Sequence, residues 1–486
     1  MQDHPRAILR ELPPVGEILA DSAVGELIVQ RGRDRVVEWA REALAEIRAS
    51  LSTLPSGNEM RNRQTLTEQV VRAIHQRSQD DSHQKLGRVI NATGVILHTG
   101  LGRAPLCARA LRAIQEAAGA CNLEIDLVSG ERRYRGFQLE SSWQRLTGAA
   151  AALVVNNNAG ATVLALEALC RGREVVISRG QLIEIGGSFR LPDIFSQSGA
   201  VLREVGTTNR TSLADYEQAI GPNTAAILRV HPSNYRVVGF ADTPATNELA
   251  PLAHQYGLVC IDDIGSGCLI DSAQFGLPAE PTFQQSIAAG ADLVLGSGDK
   301  LLGGPQCGIL LGHVELIDRL AGHPLARALR VDKMTLAALS ATLEVYLSGA
   351  ALPEIPTLIL LSQTQESLLA RAESIQSQVA SLPFGNADTE DVLPSDALPS
   401  QDRTLSIEVA RDNAPVGGGS LPGAELPTAV LRIRHSQQSA DELVLGLRVG
   451  SPRVFGRIHE NEVLLDLRSV MPPDDEQIVQ ALRAIS

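Results

Sequence analysis

The chain has 486 residues, 44% of them hydrophobic and 20% charged, and a net charge of −13. This is too long for one ordinary core and has the balance of a globular enzyme with two or three domains. No apolar run approaches a membrane span and the first residues lack a signal-peptide core, so a cytoplasmic protein with no membrane partner is expected. The six cysteines show no CxxC pair or zinc spacing and read as free buried thiols, with no metal site.

Residues 1–90 hold thirteen basic and thirteen acidic side chains, so the whole acidic excess lies beyond them. A neutral, arginine-rich stretch permits a phosphate-binding face. The spacing of Val36, Val37, Ala40, Leu44 and Ile47 predicts a helix from Asp34 to Ile47. Residues 51–58 read as a break, residues 65–76 as a second helix, and Asp80-Asp81-Ser82 as a hinge. The arm reads as a helical dimerisation element or an RNA-binding domain, and charge pattern alone favours dimerisation.

Residues 88–106 open the main domain and end at Arg103, a glycine-flanked arginine whose head can meet an anion. Arg132, Arg133 and Arg135 form a second arginine cluster. A strand ending at Val155 leads into Asn156-Asn157-Asn158-Ala159-Gly160 and then a helix to Cys170. Small residues at such a turn aim backbone N–H groups into one pocket, making Asn158, Ala159 and Gly160 candidates for holding a phosphate. Further strands are expected at 174–178, 225–230 and 258–264, the last ending in Asp262 and Asp263. Strands alternating with helices predict a mostly parallel sheet.

A short buried strand then runs into Gly296-Ser297-Gly298-Asp299-Lys300. A lysine in a desolvated site loses part of its preference for the ammonium form and can act as a Schiff-base nucleophile. Ser297 can give its hydroxyl to a phosphate. A serine followed by a lysine in a glycine-rich turn resembles the anchor of pyridoxal 5′-phosphate (PLP) enzymes of the aspartate aminotransferase fold. A carboxylate from Asp262 or Asp263 can then pair with the pyridinium nitrogen, and both remain open. Beyond Lys300, Arg327 and Arg330 are expected on one helical face, followed by a helix over 336–346. Residues 386–396 read as an acidic loop, Gly417–Pro422 as a flexible turn, Val444-Leu445 and 463–467 as strands, and 474–485 as a closing helix.

Taken together, several stretches resemble the selenocysteine synthases, the bacterial L-seryl-tRNA(Sec) selenium transferases. They are Ile90–Gly94 with His98-Thr99 and Leu101-Gly102-Arg103, the Asn156-Asn157-Asn158 turn, residues 184–190, residues 205–209, residues 263–267, the Lys300 turn, and residues 417–422. Gly100, Gly160 and Gln181 depart from that pattern. The resemblance implies three parts: a helical tRNA-binding domain at 1–85, a type I PLP-binding large domain at 86–340, and a smaller α+β domain at 341–486. It implies PLP on Lys300, with Asp263 at the ring nitrogen and Ser297, Asn158, Ala159 and Gly160 about the cofactor. The seryl group on tRNA would lose its β-hydroxyl, and selenium from selenophosphate would add to the dehydroalanyl ester. Arg103, Arg327 and Arg330 would hold selenophosphate, with Asp299 beside the lysine and Arg135 reaching a neighbouring subunit's centre. A homo-oligomer is implied, a dimer at least and a decamer as a ring of dimers. The rival expectations are a PLP lyase on a small phosphorylated amino sugar or amino acid, and a scaffold that keeps the fold without the chemistry.

Overall fold

The computed structural model describes residues 11–52, 62–83, 85–185, 189–381 and 404–485. The expected acidic loop at 386–396, most of the break at 51–58, and Gly186-Gly187-Ser188 lie outside these residues. The chain divides into two compact units, Met1–Arg88 and Val89–Ser486.

The first unit is helical, with helices Ser22–Arg31, Arg33–Ser52 and Arg63–His83. Asp21 caps the first by accepting from the Ala23 and Val24 N–H groups. Trp39, Ala40, Leu44, Val70 and Ile74 fall at helical spacing and bury one shared core. The expected hinge at Asp80-Asp81-Ser82 is instead part of the last helix. Asp81 accepts from Arg35 at 3.3 Å and Lys85 at 2.8 Å, so its charge is paired across and along the helix rather than left to break it.

The second unit is built on a seven-stranded sheet. Its strands are β1 (Ala151–Val155), β2 (Glu174–Ser178), β3 (Val201–Val205), β4 (Thr224–Val230), β5 (Val259–Gly265), β6 (Leu293–Ser297) and β7 (Gly308–Gly312). The order is β3-β2-β4-β5-β6-β7-β1, and β7 alone runs against the others. Helices cover both faces, so β1, β6 and β7 are near-continuous apolar runs buried throughout, and β2, β4 and β5 are buried at all but one position each. The edge strand β3 carries Arg203 and Glu204 and is largely exposed.

A separate antiparallel sheet joins Leu405–Pro415, Glu425–His435, Glu462–Asp466 and Arg457–His459. Helices Gln365–Ala380 and Asp475–Ala484 share its core through Leu368, Ile375, Leu431, Ile433, Ile478 and Leu482. Val444-Leu445, expected as a strand, lies in the helix Ala440–Val449. Ser439 and Glu442 form a capping box that starts this helix, and Leu443 and Leu447 bury one face four residues apart. The expected pairing of Arg327 and Arg330 on one helix also fails. That helix covers only Pro324–Ala328, and Arg330 bridges instead to Val155 at the end of β1.

Candidate active site

The carboxyl ends of β1, β4, β5 and β6 meet around one cavity of about 240 Å³, lined by Arg103, Asn158, Ser233, Asp263, Ser297 and Lys300 among others. Ligands bind at such strand ends in open α/β sheets. Ser297 is the last residue of β6, and Lys300 follows in a tight turn. Gly298 donates to the Cys307 carbonyl at 2.9 Å, and a Cβ there would stand 2.5 Å from Cys307 Sγ, so only glycine fits. The turn holds Lys300 at 5% exposure.

Burial pushes the Lys300 amine well below the usual lysine range, and the nearby Arg103 charge lowers it further, against the carboxylates of Asp263 and Asp299. Arg103 sits in the left-handed region at φ 60° and donates through Nη1 to Asp299 Oδ2 at 2.8 Å. Its Nε is buried without a hydrogen-bond partner among the described residues. Two substitutions therefore move Lys300 in opposite directions. Arg103→Gln removes the positive neighbour, and the pH at which the amine becomes reactive rises. Asp299→Asn removes a negative neighbour, and that pH falls. The measurement is the pH dependence of Lys300 labelling by an amine reagent in cofactor-free protein; shifts of equal sign would contradict this electrostatic arrangement.

Asp262 and Asp263 are neighbours on β5 and so face opposite sides of the sheet. Asp262 accepts from Arg229 at 2.8 Å and from Thr246 Oγ1 at 2.7 Å, away from Lys300. Asp263 lines the cavity. It accepts from Asn158 Nδ2 at 2.8 Å, from Thr162 Oγ1 at 3.2 Å and from the Gly265 N–H at 3.0 Å. Burial raises its carboxyl, while these three donors and the Lys300 charge favour the ionised form.

The helix Asn158–Cys170 begins where β1 ends. Asn157 caps it by accepting from the Gly160 N–H at 2.7 Å, which takes that donor out of any anion cradle. The Asn158 and Ala159 N–H groups open the helix without intrahelical acceptors and remain for an anion. Gln181, a departure from the family pattern, is buried and accepts from the Val230 N–H at 3.0 Å, finishing β4.

Three arginines singled out in the sequence stand apart from this cavity. Arg135 donates to Glu124 and, at 2.8 Å, to the Val331 carbonyl. Arg327 and Arg330 are exposed. Conversely, three cavity neighbours carry no local mark in the sequence. Gly419, at φ 85°, lies so close that a Cβ would stand 2.7 Å from Lys300 Nζ. Its loop is held there by the Leu97 N–H, which donates to the Val416 carbonyl at 2.9 Å. His231 and Ser233 follow β4, in a polar stretch whose only signal is its place at a strand end.

A buried low-pKa lysine, a facing carboxylate, two open helix-start N–H groups and a buried unpartnered guanidinium nitrogen match the aldehyde, ring nitrogen and phosphate of PLP. A family profile described as L-seryl-tRNA selenium transferase matches residues 89–471, and one described as selenocysteine synthase N terminal matches residues 9–48. The chain belongs to the L-seryl-tRNA selenium transferase family. It is 43% identical over 483 residues to the L-seryl-tRNA(Sec) selenium transferase of Moorella thermoacetica, covering 98% of this chain and 97% of that one. The enzyme of the same name from Aquifex aeolicus is 40% identical over 484 residues, with 99% of each chain covered. A solved structure of D-glucosaminate-6-phosphate ammonia-lyase shares the fold, with a TM-score of 0.54 at 20% identity, over 82% of this chain and 96% of that one. The mostly parallel α/β sheet expected from the sequence is thus the fold of that solved structure. All six cysteines are free. Among the described residues no group of His, Cys, Asp or Glu is arranged to hold a metal ion, and no helix is long and apolar enough to cross a membrane.

Proposed function

We propose that this selenium transferase converts seryl-tRNA(Sec) to selenocysteinyl-tRNA(Sec) in the cytoplasm, with selenophosphate as selenium donor and PLP held on Lys300. The observation that carries the site assignment is the buried Lys300 facing Asp263 across one cavity at the strand ends. Lys300 would anchor the cofactor, Asp263 would take its ring nitrogen, and Ser297 with Asn158 and Ala159 at the start of the Asn158–Cys170 helix would hold its phosphate, while Gly160, whose N–H is taken by Asn157, shapes the turn. When bound, PLP supplies an electron sink for a carbanion at the seryl Cα. Lys300 Nζ, already biased toward the neutral amine, takes the Cα proton. Asn158 and Thr162 keep the Asp263 carboxylate in place. Asp299 fixes the Arg103 head beside Lys300, where a selenophosphate anion can pair with it.

The seryl carboxyl is esterified to tRNA, so the site needs no carboxylate clamp and its arginines are available for the selenium donor. Arg327, Arg330 and Arg135 lie outside their own chain's cavity, and we place them at the cavity of a second protomer. The enzyme is then a homo-oligomer, at least a dimer and by family likeness a decamer. We assign residues 341–486 as the small domain, since they hold the second sheet and its core. Membership of the family disfavours the lyase on a small phosphorylated amino sugar.

The test is purified chain with PLP, seryl-tRNA(Sec) and selenophosphate, followed by the appearance of selenocysteinyl-tRNA. Asp263→Asn is expected to keep the cofactor and lose roughly 100-fold or more in turnover. Asp262→Asn is expected to keep turnover if it folds. No product from the wild-type chain, or turnover only on phosphorylated amino sugars, would overturn the reading.

A further inference from the structure

Beside the Lys300 cavity lies a larger one of about 550 Å³, and His231 lines both. The residue directly follows β4, and its N–H donates to the Asp263 carbonyl at 2.9 Å. That bond fixes His231 one strand away from the carboxylate that faces Lys300. Its Nε2 is buried, without a hydrogen bond among the described residues, and lies 3.3 Å from Glu280 Oε2. The Glu280 side chain is 2% exposed, and its Oε1 also lacks a partner. The Glu280 N–H donates to Ser272 Oγ at 2.9 Å, and that hydroxyl donates to the Pro278 carbonyl at 2.6 Å, so the carboxylate is held in place. A carboxylate is rarely buried with so little compensation. The imidazole of His231 is a polar group within reach of that carboxylate. With Nε2 turned to Glu280, Nδ1 is the ring nitrogen available to a substrate, an arrangement like that of other carboxylate-oriented histidines.

We propose that His231 is the general acid that protonates the departing seryl β-hydroxyl, and that Glu280 is the positioning residue that orients its ring. This rests on the function proposed above. In the step, the Cα–H bond breaks and its proton goes to Lys300 Nζ. The electron pair left on Cα becomes the Cα–Cβ double bond. The Cβ–O bond breaks with its pair on oxygen, and the His231 proton turns the leaving hydroxide into water. The neutral His231 regains a proton from water in the larger cavity it also lines. The Lys300 proton returns to Cα when selenium adds at Cβ.

The experiment compares leaving groups. Hydroxide needs a proton to leave, whereas chloride does not. His231→Gln and Glu280→Gln are assayed on seryl-tRNA(Sec) and on its β-chloroalanyl analogue. His231→Gln is expected to lose about 100-fold on the seryl substrate and less than about threefold on the chloro analogue. Glu280→Gln is expected to show the same dependence with a smaller loss. PLP uptake followed by absorbance, and seryl-tRNA retention on filters, stay at wild-type level in both variants. Equal losses on the two substrates, no loss on either, or a fall in PLP or tRNA binding would each overturn the proposal. A wild-type enzyme inactive on seryl-tRNA would instead sink the functional reading on which it rests.

Discussion

Lys300→Ala yields a protein with no borohydride-fixed cofactor and a loss of seryl-tRNA conversion on the order of 10⁴-fold, because one side chain is both anchor and base. The expectation follows from placement. Lys300 is nearly enclosed, its amine is pushed toward the neutral form, and Gly419 leaves just enough room above Nζ. The same placement is costly to the fold. The lowered amine means that the unfolded chain binds the proton more tightly than the native one. Stability therefore rises with pH from the folded pKa up to the unfolded value, and at neutral pH the buried lysine is a burden. Lys300→Met, without cofactor, is expected to melt at a higher temperature than cofactor-free wild type at neutral pH. Mass spectrometry after borohydride reduction and thermal melts check the two halves. A reducible adduct on another lysine in Lys300→Ala would reassign the anchor.

Lys300 was legible because its signal is local: an apolar strand, then glycines and a lysine. The sheet was legible for the same reason, since strands buried on both faces read as short Val, Ile and Leu runs. The choice between Asp262 and Asp263 was not, because two adjacent residues of a buried strand look alike in sequence. Only the three-dimensional partners, Arg229 and Thr246 for one and Asn158 and Thr162 for the other, separate them. Val444-Leu445 failed because a short apolar pair fits a strand or a buried helix equally well, and the capping box beside it is the better guide. Gly419 and the His231–Glu280 pair are contacts between distant parts of the chain, and no periodicity reports those.

Removing Met1–Arg88 is expected to abolish seryl-tRNA binding while PLP still attaches to Lys300. The helical unit has its own core, and every residue placed around the cofactor lies beyond residue 90. The cut belongs after Arg88 rather than at residue 80, because the last helix runs to His83. The rest of the chain carries the whole acidic excess and repels a polyanion, so tRNA must be captured by this unit. Two groups of its described arginines differ in their partners. Arg35, Arg63 and Arg77 are engaged by Glu38 and Asp81, by Glu17, and by Glu42 and Glu46. Arg33, Arg41, Arg48 and Arg72 are exposed and take part in no ion pair among the described residues. Four such cations among the described residues make few phosphate contacts, so affinity should fall with salt at a slope of about −4 or shallower, and recognition should rest mainly on tRNA shape. Filter binding of seryl-tRNA at several salt concentrations, beside an absorbance spectrum of the truncated protein, tests both statements. Undiminished tRNA affinity after the deletion would return the unit to a dimerisation role. Loss of PLP attachment would show that it supports the catalytic cavity instead.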